Sequence, residues 1–339
     1  MKKQILLALV IVVTAIGLFA QTAQRGPRRE KIRQTRQGKA EGNNENNAKP
    51  NNNGSYVVGK NRFTTQVNGD TREYYVHVPQ SYNKATATPV VFMLHGTSGD
   101  GLKFYNISGW KEVGETENLI TVYPSSWRQC VRDEGKQHTT EKWSSYPGSG
   151  FTFCPGVTPR DDIKFLSQVI DEIEQKFNVN QHMIYFVGFS NGSQMAARVG
   201  IEMSDRIAGF VGHLDTDQPM TPKRPVPNIW QEGTEDPHYT AMFGGQSVPM
   251  DFNQIVAKPY MKGALNLYLQ TFKLSPKYTT GGNPNNMIWL DAKGTSGDPN
   301  NVFRLVFVKG MGHVYPNGKN FPVEGAKLNW QWLKQYKLP

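Results

Sequence analysis

Residues 183–203, MIYFVGFSNGSQMAARVGIEM, hold the pattern from which the rest of the chain can be read. The apolar run from Met183 stops at Gly188, which suits a strand buried on both faces. From Asn191 onward the stretch reads as a helix. Between them, Gly188-Phe189-Ser190-Asn191-Gly192 has the form G-x-S-x-G, and a strand running straight into a helix is where that form makes a nucleophile elbow. So tight a turn leaves no room for side chains at the two glycine positions. Ser190 is then presented at the carboxyl edge of a sheet, with a helix N-terminus behind it that favours developing negative charge.

The same rhythm extends in both directions. Upstream, EYYVHVP (73–79) alternates as a half-buried strand, while PVVFMLHG (89–96) and LITVYP (119–124) are buried runs. In DDIKFLSQVIDEIEQKF (161–177), Ile163, Leu166, Ile170, Ile173 and Phe177 share one helical face, and Asp161 and Asp162 are placed to cap its start. Downstream come IAGFVGHL (207–214), VPNIWQEG (226–233), a helix around 261–272, FRLVFVKG (303–310) and a closing amphipathic EGAKLNWQWLKQY (324–336). This alternation predicts an α/β domain with a doubly wound, mainly parallel sheet. Residues 237–300 are long for a connection and carry Tyr239, Phe243, Phe252 and Tyr260, which predicts a lid.

A serine hydroxyl attacks only with a base within hydrogen-bond reach. Of the 7 histidines, His313 in GMGHVYP follows the last predicted strand near the C-terminus, where the base is expected. The acid that orients it must fall between Ser190 and His313. Asp236, in GTEDPHY after VPNIWQEG, is the first candidate, and Asp215 and Asp217 in HLDTDQP are its rivals. Two backbone N–H groups must face the developing oxyanion. Asn191 is expected to supply one and Thr97, in His95-Gly96-Thr97, the other, with His95 bracing the loop.

LHGTSGD, VYPSSW, GFSNGSQMA, EGTEDP and GMGHVYP, in this order over almost all of residues 70–335, resemble carbohydrate esterase family one of the α/β-hydrolase superfamily. That family groups secreted feruloyl and acetylxylan esterases with polyhydroxybutyrate depolymerases. The resemblance implies an α/β-hydrolase fold and a Ser-Asp-His ester hydrolase that forms an acyl-enzyme without metal or organic cofactor. Its catalytic positions map to Ser190, Asp236 and His313. Feruloyl or acetyl groups on plant polysaccharide are the implied substrates, with Trp127, Trp143 and Tyr315 able to stack on a sugar or cinnamoyl ring, and Tyr146 beside them. The chain departs from the family pattern at Ser193 (commonly Gly), Glu232-Gly233-Thr234 (His-Gly-Thr) and Tyr315 (Trp), so Glu232 and Tyr315 are expected to border the pocket. Two alternatives stay open: a polyhydroxybutyrate depolymerase or other small-ester or peptide hydrolase, and a binding protein on an inactive scaffold.

Outside this domain the chain changes character. Lys2 and Lys3 precede an apolar run to Ala20, the pattern of a cleaved signal peptide over residues 1–23, which predicts a secreted protein with no stable membrane insertion after cleavage. Residues 24–54 are basic, then Asn-rich, with almost no apolar side chains to offset the entropy of ordering. They read as a disordered linker, either a solvated spacer or a contact for an anionic surface. Residues 1–54 hold ten Lys or Arg against three Glu, so they carry +7 of the net charge of +10. The catalytic domain, 55–339, therefore has no nucleic-acid footprint. The 2 cysteines, Cys130 and Cys154, are expected to pair in an exported chain.

Overall fold

Thirteen strands carry the architecture of the computed structural model, which describes residues 55–133, 135–146, 152–216 and 218–339. In chain order they are β1 (Gly59–Val67), β2 (Asp70–Val78), β3 (Thr88–Leu94), β4 (Ile120–Pro124), β5 (Trp127–Asp133), β6 (Lys136–Lys142), β7 (Thr152–Phe153), β8 (Val179–Gly188), β9 (Gly209–Val211), β10 (Asn228–Gly233), β11 (Leu274–Asn283), β12 (Met287–Gly294) and β13 (Val302–Val308). Ten form one sheet in the order β1-β2-β4-β3-β8-β9-β10-β13-β12-β11. The six central strands, β4 to β13 in that order, pair in parallel. Antiparallel pairs flank them on both sides. This is the mainly parallel sheet of an α/β-hydrolase fold.

Parallel strands need crossovers, and helices from these connections, with one more after β13, cover both faces. They are α1 (Gly101–Ile107), α2 (Trp110–Glu117), α3 (Asp162–Lys176), α4 (Asn191–Glu202), α5 (Pro237–Thr240), α6 (Phe252–Val256), α7 (Pro259–Thr271) and α8 (Gly325–Leu333). Side chains alternate across a strand. Phe92, Leu94, Ile184 and Phe186 therefore join Phe165, Leu166 and Ile170 of α3 in one core. Val91, Met93, Tyr185 and Val187 join Phe104, Trp110 and Trp330 in the other. Asp161 caps α3, accepting from the Lys164 N–H at 2.9 Å. Asp162 instead turns inward, where it pairs with Arg72 at 2.7 Å and accepts from the Ser144 N–H.

Two expectations change. EYYVHVP is not half-buried: β2 is buried from Tyr74 to Val78, because α1 and α2 cover its outer face. His77 there bonds Tyr105 of α1 at 3.0 Å and Glu115 of α2 at 2.7 Å. Residues 237–300 are not a lid. They build α5 to α7, then β11 and β12, which extend the sheet beyond β13, and Tyr239 and Phe252 are core residues.

A second, three-stranded sheet, β6-β5-β7, stands apart from the main one. The disulfide Cys130–Cys154 joins β5 to the residue after β7. Residues 1–23, 24–54 and Asp217 lie outside the described residues. No helix among the described residues is long and apolar enough to cross a membrane.

Candidate active site

The turn at the end of β8 is built by close approach. A Cβ on Gly188 would fall 2.0 Å from the Gly192 carbonyl oxygen, and one on Gly192 would fall 2.3 Å from that of Leu94. Both positions admit only hydrogen. Ser190 itself sits at φ 53° and ψ −124°, a conformation costly for a side-chain residue and maintained by the packing around it. It occupies the N-cap of α4 yet makes no side-chain capping bond, so its hydroxyl is left to other partners. Ser193, where a glycine was expected from the resemblance, donates its hydroxyl to the Ser190 carbonyl at 2.6 Å.

The structure brings Ser190, Asp236 and His313 together. His313 Nε2 lies 3.0 Å from Ser190 Oγ, and His313 Nδ1 lies 2.6 Å from Asp236 Oδ2. A carboxylate only accepts, so Nδ1 carries the proton and Nε2 accepts from the serine hydroxyl. Asp236 leaves the end of β10 buried, at 2% exposure. Its second oxygen accepts from the His238 N–H at 2.9 Å as the cap of α5. Burial pushes its pKa up, but the hydrogen bonds from His313 and His238 outweigh that and hold it below the ordinary carboxylate value. The Asp236 hydrogen bond raises the pKa of His313, against burial. Asp215, the rival acid, instead accepts from Gln194 at 2.9 Å.

Asn191 and Thr97 flank this group. Among the described residues neither backbone N–H has a hydrogen-bond acceptor. His95 braces the loop between them. Its Nε2 accepts from the Ser126 N–H at 2.9 Å, which leaves Nδ1 to donate to the Gly96 carbonyl at 2.7 Å. Burial lowers its pKa to about 4, so it stays neutral. The small sheet holds the same loop from outside. Ser98 N–H donates to the Glu141 carbonyl at 3.0 Å, and Lys142 Nζ donates to Thr97 Oγ1 at 3.0 Å.

The expected stacking residues are placed differently. Trp143 is fully buried: its ring nitrogen donates to the His95 carbonyl at 2.8 Å, and its N–H donates to Asn191 Oδ1 at 2.7 Å. Tyr315, 5% exposed, accepts from Trp110 at 2.9 Å and packs edge-on against Phe189. Both support the site from beneath and neither offers a ring face to substrate. Trp127 lies against the guanidinium groups of Arg72 and Arg160. Tyr146 has Arg198 over its ring.

Glu232 stands near Asp236 and His313, accepting from Trp230 at 2.7 Å and Tyr239 at 2.8 Å. Burial pushes its pKa up to about 7. Sequence reasoning missed His238, whose ring lies 5.0 Å from that of His313, and Phe189, 5.2 Å from it. Both names stand inside the motifs EDPH and GFSNG, but only the folded chain shows which way they turn.

No protein-family model matches the chain. It is 25% identical over 282 residues to feruloyl esterase B of Piromyces equi, covering 79% of this chain and 46% of that protein. It is 23% identical over 170 residues to the bifunctional acetylxylan esterase/xylanase XynS20E of Neocallimastix patriciarum, covering 50% of this chain and 22% of that protein. The chain thus spans less than half the length of either relative. Among solved structures, an acetyl xylan esterase from Aspergillus awamori superposes with a TM-score of 0.50 at 14% identity, over 78% of this chain and 94% of its own. The chain is thus similar in sequence to a feruloyl esterase and to an acetylxylan esterase, and it shares the α/β-hydrolase fold of a solved esterase.

Proposed function

We propose that the chain is an exported esterase in which Ser190, Asp236 and His313 act as a catalytic triad on feruloyl or acetyl esters of plant polysaccharide. The observation that carries this reading is the position of His313, 2.6 Å from a buried carboxylate on one side and 3.0 Å from Ser190 Oγ on the other. Ser190 Oγ attacks the ester carbonyl while His313 Nε2 takes its proton. The N–H groups of Thr97 and Asn191 stabilise the oxyanion. The tetrahedral intermediate expels the alcohol, which takes the proton from His313, and leaves an acyl-Ser190 ester. Water, deprotonated by His313, then releases the acid. Asp236 holds the imidazole in the required tautomer and stabilises its charged form.

The names of the two relatives support the substrate class, and the disulfide is compatible with export. Acid release from methyl ferulate, p-nitrophenyl acetate, acetylxylan and hydroxybutyrate oligomers tests it. Turnover of the feruloyl or acetyl substrates is expected. Efficient turnover of hydroxybutyrate oligomers alone would replace this reading with a depolymerase.

A further inference from the structure

His238 has no part in the chemistry above. It is exposed, and among the described residues its ring makes no hydrogen bond or ion pair. Its position is nevertheless constrained, because its own backbone N–H is tied to Asp236 and its ring stands edge-on to His313, at 74°. Asp236, His238 and His313 each offer one ligand atom, and these atoms lie within 4.8 Å of one another.

We propose that these three residues bind a borderline transition-metal ion such as Zn²⁺, and that the bound ion switches ester hydrolysis off. Two imidazole nitrogens and a carboxylate oxygen are a common zinc donor set, with bonds of about 2.0–2.2 Å. Ligand atoms on one tetrahedral ion are then about 3.4 Å apart by those bond lengths. Closing the present separation takes up to about 1.4 Å of movement by those bond lengths, available to two exposed imidazole rings turning over a fixed, buried carboxylate. Asp236 supplies the negative charge, and Glu232 lies close enough to add to the field at Asp236 and His313.

The inhibition follows from the tautomer. In the neutral ring Nδ1 holds the proton and Nε2 the lone pair that faces Ser190. An ion entering beside Asp236 forms bonds to an Asp236 oxygen, to His238 and to His313 Nδ1. The Nδ1 proton moves to Nε2 by exchange with solvent, with no net proton released from the neutral ring. Nε2–H can no longer accept from Ser190, so the nucleophile loses its base. This switch rests on the reading of His313 as base, whereas the ion-binding site itself does not.

The experiment has two arms on the full chain. Hydrolysis of p-nitrophenyl acetate is titrated with ZnCl₂, with MgCl₂ as control and EDTA for reversal, in wild type, His238→Ala and His238→Gln, each scaled to its own zinc-free rate. Zinc binding to Ser190→Ala, and to that variant with His238→Ala, is measured directly by calorimetry. Reversible inhibition by zinc and not magnesium is expected. Loss of His238 should weaken both inhibition and binding by more than the roughly 10–100-fold that removal of an outer-sphere partner costs. Equal zinc sensitivity with and without His238, or no zinc binding to Ser190→Ala that depends on His238, would overturn the proposal. Because the calorimetric arm needs no turnover, failure of the triad reading leaves the test of the site intact.

Discussion

In the proposed mechanism Ser190 acts only when His313 is neutral, and the hydrogen bond to Asp236 keeps His313 protonated to higher pH than an ordinary imidazole. Activity should therefore climb with pH through a midpoint above the usual value of 6.5. Asp236→Asn should move that midpoint down and lower kcat on the order of 10⁴-fold, as expected when the tautomer is lost. Profiles of kcat/KM against pH for both proteins check this, and an unmoved midpoint would remove Asp236 from its role. Glu232 titrates in the opposite sense for stability. Its pKa rises from an ordinary 4.5 to about 7 on folding, so between those values the native state holds the extra proton. Stability contributed at that residue consequently falls as pH rises from 4.5 to 7. Glu232→Gln keeps an acceptor for Trp230 and Tyr239 but does not titrate. Its urea midpoint relative to wild type should improve between pH 4 and pH 8, and a constant difference would refute the assignment.

At the scale of elements, the small sheet connects the disulfide to the loops around Ser190. Trp143 reaches both the His95 carbonyl and the Asn191 side chain, so it ties the two candidate oxyanion donors to the end of β6. Trp143→Phe removes the indole donor and keeps most of the packing. It should lower kcat by about tenfold, less than direct loss of an oxyanion donor, with KM little changed. Equal kcat in the folded variant would show that the donors need no such tie. Beneath it, Arg72 and Asp162 form a fully buried pair. Arg72→Ala strands that carboxylate and should cost about 3–5 kcal/mol, read from the guanidinium midpoint. The central strands were legible because both faces of each are covered, which writes a continuous apolar run into the sequence. β11 was not, since its outer residues are mostly exposed and Pro276 and the Gly281-Gly282 pair interrupt it. With β11 and β12 unseen, residues 237–300 read as one long connection bearing aromatics, hence the expected lid.

For the whole molecule, order of the motifs along the chain was enough to predict which residues would meet. Ser190, Asp236 and His313 each follow a parallel strand, β8, β10 and β13, so the topology brings their loops to one edge of the sheet. Burial was not legible in this way. Whether Trp143 or Tyr315 faces solvent depends on layers contributed by distant segments, and both lie beneath the site. Residues 24–54, the arm read as a linker, carry almost no apolar side chains, so a chain shortened to residues 54–339 should fold and hydrolyse small soluble esters at the full-length rate. Loss of that activity would place the arm within the catalytic unit. A fluorophosphonate probe reacts with an activated serine and so tests the role of Ser190 most directly. Intact mass and peptide mapping should show one phosphonyl adduct on Ser190, abolished in folded His313→Ala. An unlabelled Ser190 in the folded wild-type protein, or equal labelling without His313, would contradict it.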